Sequence, residues 1–288
     1  MDYLFLLAAM LASALLSIMS SLFGNHNPNV KNSSYLYTVI VTFSATVTWG
    51  VVCCLNEGIK VEAIGYSLIY GTFYTMAMIG MFKAYQIGSV SLTAFVKQLS
   101  LIVVSLWGFI FWKNTLTANV AIGIFLIIGA LYLCLKPDKS GLKKTTAQWC
   151  VFAFLLLVGN AGCSITQKYQ QIAFDGNVEY AFMLFGTAVS FLVSLGLYLR
   201  KGIYRPKVSK YTLVYPVIGG ISSALLNLFV LRLISSEISE SIIFPGIAVG
   251  GLAVTMLFSL VFYHEKLSAR QWIGLSIGVI ALVFLNIK

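Results

Sequence analysis

Charge is what this chain has least of. Asp, Glu, Lys and Arg make up 10% of its 288 residues, against about 25% in an ordinary soluble domain. Hydrophobic residues reach 59%, and mean hydropathy is +0.91. A chain so short of polar side chains cannot cover a water-facing surface, so most of it must meet lipid. Acids are scarcer than bases, nine against 19. The basic excess does not point to nucleic acid, because the Lys and Arg residues gather in loops between apolar segments rather than in a patch of their own. The two histidines, His26 and His264, stand apart with no partnered acid, which argues against an enzyme at the membrane face. The five cysteines, Cys53, Cys54, Cys134, Cys150 and Cys163, show no metal-ligand spacing and read as small apolar packing residues. No G-x-x-x-x-G-K-[ST] run occurs, so no nucleotide motor is expected. Neither a cofactor nor a metal is implied. The chain is apolar from Tyr3, without the basic stretch of a cleaved signal peptide, and its start reads as a retained first helix.

What the chain does have is long apolar runs. A spanning helix needs about 20 such residues. Ten segments qualify: 3–23, 34–55, 65–86, 89–112, 117–135, 147–168, 178–199, 211–233, 237–262 and 268–287. The breaks between them are short and polar, too short for a soluble domain. The chain also repeats itself. Leu116, Ala118, Ile122, Gly123, Ala130 and Leu131 meet identical residues at Leu267, Ala269, Ile273, Gly274, Ala281 and Leu282. The match continues upstream, where 84–91 parallels 232–239 with a slightly smaller offset. The boundary falls in the loop after 135, so the halves are 1–137 and 147–288 and each holds five helices. Because five is odd, the second half must enter the bilayer from the opposite side. The expected fold is an all-α integral membrane protein, ten transmembrane helices in two inverted five-helix repeats around a central cavity.

Orientation follows from the basic residues. Thirteen of the 19 Lys and Arg fall in odd-numbered connections, nine of them in the two loops holding Lys136 to Lys144 and Arg200 to Lys210. That bias places the odd loops in the cytoplasm and both termini outside a cell membrane.

Polar residues inside the spans mark the candidate site, since a buried ionisable group in a membrane is costly to insert. Lys97 lies well inside the fourth segment, on a face with Thr93, Ala94, Ser100, Ser105 and Gly108. It can hold a carboxylate or phosphate, or its stem can snorkel to the headgroups. Asn160 and Ser164 stand one turn apart in the sixth segment, continuing to Lys168 with Gln167 and Gln171 beside them. Tyr70 and Tyr74 follow Tyr66 at helical spacing in the third, and Asn227 follows Ser223 in the eighth. The ninth begins with Glu237 and Glu240, where acids also suit the helix dipole. Pro245 and Gly246 follow, and the donor missing at Pro245 makes a candidate gating break. Gly274 and Gly278 form a GxxxG pair, suited to close helix approach within a monomer or in a homodimer.

The half-ends read GSVS at 88–91, N-x-L-T at 114–117 and IG at 122–123, against SEIS at 236–239 and YHEKLS at 263–268. With ten helices in two halves, they resemble the drug/metabolite transporter superfamily, EamA-like branch. Glu265-Lys266-Leu267-Ser268 resembles that family's turn before the last helix, while Asn114 stands where a Glu is usual. The resemblance implies a carrier of small metabolites with a cavity lined by the first, third and fourth helices of each half and the fifth packed behind. On the residues, the expected function is a secondary transporter of a small polar solute, amino acid-like or an organic anion. A proton-coupled exporter of organic cations needs a carboxylate deep in the membrane, and the acids near spans, Glu237, Glu240 and Glu265, all sit near helix ends. A flippase for lipid-linked sugars, or a subunit of one, is the remaining alternative. The partners expected are the bilayer and the solute.

Overall fold

The structure is a computed structural model describing residues 2–26, 33–56, 58–112, 118–135, 146–201, 210–234, 240–264 and 267–284. Among these residues all regular structure is helical: α1 (Asp2–His26), α2 (Ser33–Asn56), a short 3-10 turn (Val61–Ala63), α3 (Ile64–Ile87), α4 (Val90–Gln98), α5 (Ser100–Phe111), α6 (Ala118–Leu135), α7 (Ala147–Phe174), α8 (Glu179–Arg200), α9 (Lys210–Ile234), α10 (Glu240–Phe262) and α11 (Ala269–Phe284). Five stretches, in α1, α2, α7, α8 and α9, are both long and apolar enough to cross a membrane.

The distribution of side chains is compatible with a membrane-embedded protein. Leu55, Phe125, Ile110 and Leu4 are exposed, while the buried polar residues are all Ser, Thr or Gln. Most of these hydroxyls are satisfied inside their own helix. Thr38 donates to the Ser34 carbonyl at 2.8 Å, Thr187 to Met183 at 2.8 Å and Thr255 to Gly251 at 2.8 Å. A hydroxyl bonded back to the preceding turn adds a polar group to a packing face without needing water.

The helix packings come in matched pairs. Exchanging the two halves maps α1 onto α7, α2 onto α8, α3 onto α9, α4 and α5 onto α10, and α6 onto α11. The extensive α3–α7 packing then corresponds to α9–α1, α3–α8 to α9–α2, and α1–α10 to the contacts of α7 with α4 and α5. The α2–α8, α6–α11 and α4–α10 packings map onto themselves. Small residues set the distances. A Cβ added at Gly80 would lie 2.6 Å from the Leu156 nitrogen, and one at Gly159 would lie 2.6 Å from the Ala77 nitrogen, so α3 and α7 touch backbone to backbone. Gly71 against Gly186 and Gly220 against Val41 make equivalent approaches, α3 on α8 and α9 on α2. Gly278 faces the Phe95 ring, so that glycine of the GxxxG pair serves packing within the monomer.

Two elements differ from the sequence expectation. The fourth segment is disturbed at Leu99, between α4 and α5, where the hydrogen-bond ladder tightens while the backbone stays in the right-handed helical region. Ser100 Oγ donates to the Lys97 carbonyl at 2.9 Å, and the Leu99 amide is shared between the Phe95 and Val96 carbonyls. Local bonds of this kind compete with the regular ladder. In contrast, α10 runs unbroken through Pro245 and Gly246. Pro245 is the sixth residue of that helix, and the bond its nitrogen cannot donate is the one to the Ser241 carbonyl. The helix the sequence marks for interruption is therefore continuous, and its counterpart is the one whose ladder is disturbed.

Gly80→Val and Gly159→Val should each cost about 1–3 kcal/mol by overpacking, read as a lower melting temperature of the detergent-solubilised protein. Gly129→Val, whose added side chain meets open space, should melt like the wild type. Equal melting of all three would contradict the close α3–α7 approach.

Candidate functional site

The first, third and fourth helical segments of each half surround a cavity of about 210 Å³. Ser13 and Leu16 come from α1; Tyr70, Tyr74, Met78 and Met81 from α3; Lys97 and Gln98 from α4, with Ser100 from α5. The second half contributes Asn160, Cys163, Ser164 and Gln167 from α7, Ser223, Leu226, Asn227 and Val230 from α9, and Ile247 and Ala248 from α10. No residue of α2, α6, α8 or α11 lines it.

Lys97 occupies the last turn of α4. Its carbonyl accepts from Ser100 Oγ at 2.9 Å. Its Nζ donates to Ser17 Oγ at 3.4 Å, a long bond to a neutral partner. Among the described residues the lining holds this one cation and no acid. Across the cavity, Tyr74 and Ser223 share a hydrogen bond of 2.7 Å between α3 and α9. Asn227 Nδ2 donates to the Ser223 carbonyl at 2.9 Å. Tyr70 and Tyr74 lie nearly parallel, centroids 5.7 Å apart, and Phe182 meets Tyr70 edge-on at 5.0 Å. The side chains of Gln98, Asn160, Ser164 and Gln167 make no hydrogen bond among the described residues. Amides in an apolar bundle normally find partners, and these turn toward the cavity instead.

Towards the ends of α1 and α3 that face the odd-numbered connections, the path from the cavity is packed shut. Phe23, Tyr37 and Phe82 form a cluster with centroids 4.9–5.4 Å apart, and all three are fully buried. Ser20 bonds the Tyr37 hydroxyl at 2.7 Å, and Ser21 donates to Tyr263 at 3.1 Å. The serine stripe of α1 thus lies along this closure as well as at the cavity wall.

The structure brings together Lys97, Asn160, Asn227, Tyr70, Tyr74 and Ser164. Thr93 is a correction. It is fully buried away from the lining, donating to the Ser89 carbonyl at 2.8 Å and accepting from Trp149 Nε1 at 3.0 Å. Its hydroxyl joins α4 to α7 and is not available to a ligand. Gly246 faces Leu6 and Met10 of α1, a packing position rather than a lining one. The side chains of Glu240 and Pro245, and all of Glu237 and Glu265, lie outside the described residues. Lys168 is exposed over the Trp112 ring at 4.4 Å, and Gln171 bonds Glu179 at 3.1 Å; both serve the end of α7. Gln98 is absent from the sequence-based set because it lies off the Lys97 stripe by one residue, about 100° around the helix, and the cavity is wide enough to reach both. Met78, Met81 and Leu226 look like ordinary core residues in the sequence.

No family model matches this chain, and no curated protein matches it. Solved structures do resemble it. One, described only as "Crystal structure of protein", superposes with a TM-score of 0.58 at 12% identity, covering 96% of this chain and 95% of its own. At that identity the likeness is one of fold alone.

Cys163 offers a reporter inside the cavity. In a variant with Cys163 as the sole cysteine, an anionic sulfonate-bearing methanethiosulfonate should react several-fold faster than a cationic trimethylammonium one, because Lys97 raises the local concentration of anions. Lys97→Met should abolish the difference. Equal rates with Lys97 in place would contradict an uncompensated positive charge there.

Proposed function

We propose that this protein is a secondary transporter of a small polar metabolite, working by alternating access in a cell membrane. The observation that carries the reading is the cavity. It lies between two sets of helices whose most extensive packings correspond in pairs, and its wall combines a lysine with unpartnered amides. The matched packings, the sequence repeat and the odd number of helices per half support ten spans in two inverted repeats. The resemblance to the EamA-like branch of the drug/metabolite transporter superfamily points the same way. In this reading the odd connections are cytoplasmic, both termini are outside, and the Phe23–Tyr37–Phe82 cluster is the closed cytoplasmic gate. Transport proceeds as solute enters from the opposite face, displaces Ser17 from Lys97, and lets the two halves rock about the small-residue contacts of α1–α9 and α3–α7.

The solute expected is anionic or zwitterionic. An exporter of organic cations fits less well, because no carboxylate among the described residues lines the cavity. A lipid-linked sugar does not fit about 210 Å³, well below the roughly 300–1,000 Å³ of sites for drug-sized ligands.

The test is counterflow uptake of labelled amino acids and organic acids into proteoliposomes. Lys97→Ala and Asn160→Ala should each lower uptake tenfold or more, since a hydrogen bond to a charged group is worth about 1.5–3 kcal/mol, with unchanged elution of the purified protein. Uptake that survives both substitutions, or no uptake of any of these solutes by the wild type, would overturn the reading.

A further inference from the structure

The composition of the cavity wall restricts the solute more narrowly than its polarity does. Among the described residues the wall carries one ammonium, from Lys97, and no carboxylate. Its hydrogen-bonding capacity is neutral: the amides of Gln98 and Asn160 are unpartnered, while the Tyr74 hydroxyl and the Asn227 Nδ2 are already committed to Ser223. The rest of the wall is apolar, with Met78, Met81, Leu226, Val230 and Ile247 beside the parallel rings of Tyr70 and Tyr74. A second positive charge brought into this space meets no counter-ion and is repelled by Lys97. A second negative charge has nothing to pair with either, and a buried charge without a partner is expelled or neutralised. The space equals about seven waters at roughly 30 Å³ each, enough for a short branched or monocyclic carbon skeleton.

We propose that the solute is a monocarboxylate with a compact apolar body, bound as a single anion to Lys97. This rests on the transporter reading and selects, among anions and zwitterions, the class in which one negative charge meets the one positive charge of the wall and nothing else ionised enters. The loaded cavity is then neutral. An amino acid of the same skeleton leaves its ammonium unpaired beside Lys97, and a dicarboxylate leaves one carboxylate unpaired. The amides of Gln98 and Asn160 complete the head-group site by donating to the carboxylate oxygens, and the methionines adapt to the shape of the body.

A matched series built on one branched body tests this on the full-length protein in detergent: 4-methylpentanoate as the monoanion, leucine as the zwitterion, isopentylamine as the cation and 2-methylglutarate as the dianion. Thermal stabilisation is measured against concentration. The monoanion should reach its midpoint at a concentration at least tenfold below leucine and the dianion, and the amine should give no shift. Lys97→Met should remove the monoanion's advantage. If that variant does not fold, protection of Cys163 from a maleimide in the wild type gives the same ranking. Leucine or the amine binding as tightly as the monoanion, or a ranking unchanged in Lys97→Met, would overturn the proposal. No shift and no protection by any of the four would do so too. Failure of the two readings can be told apart: binding in this order without flux in proteoliposomes removes the transporter, whereas flux of leucine without preference for the monoanion removes only the solute class.

Discussion

A peptide group left unpaired in hydrocarbon has no water to turn to, and that constraint organises the molecule. It explains why the regular structure among the described residues is helical, since a helix satisfies its backbone within itself. It also gives weight to the disturbance of the fourth segment at Leu99. There Ser100 takes the Lys97 carbonyl and the Leu99 amide is shared between two carbonyls, so no peptide group in that turn is left without a partner.

The second organising element is close approach. Gly80 and Gly159 hold α3 to α7, and Gly71 and Gly220 play matched parts one repeat apart. Helices brought together through small residues form rigid pairs, and the space that remains between them is the cavity. Hydroxyls bonded to their own helices keep these faces polar enough to orient yet free of unsatisfied groups. The aromatic cluster at Phe23, Tyr37 and Phe82 fills one end of the space between the pairs, so the cavity and its closure are built from successive turns of the same helices.

Much of this was legible in the residues. The positions of the helices followed from apolar run length, and six polar residues of the spans fall on one wall because insertion cost sorts charged and amide side chains inward. Other parts were not legible. Thr93 sat on the right stripe, but its hydroxyl is taken by Trp149, a contact between distant segments that no spacing reveals. Pro245 advertised a break, yet α10 runs through it and loses only the one bond its nitrogen cannot donate. The disturbance in the fourth segment is carried by Leu99 and Ser100, residues with no breaking propensity. The apolar wall formed by methionines and leucines is indistinguishable in sequence from a lipid-facing surface.

The account stands on the positive charge at position 97, and chemical restoration of that charge tests it most directly. In a background without the other cysteines, Lys97→Cys should abolish solute uptake into proteoliposomes. Treatment with an aminoethyl methanethiosulfonate, which rebuilds a lysine-like ammonium on the new thiol, should restore a substantial part of it, while a neutral methyl reagent should not. Activity in the untreated cysteine variant, or equal recovery with the neutral reagent, would contradict the account.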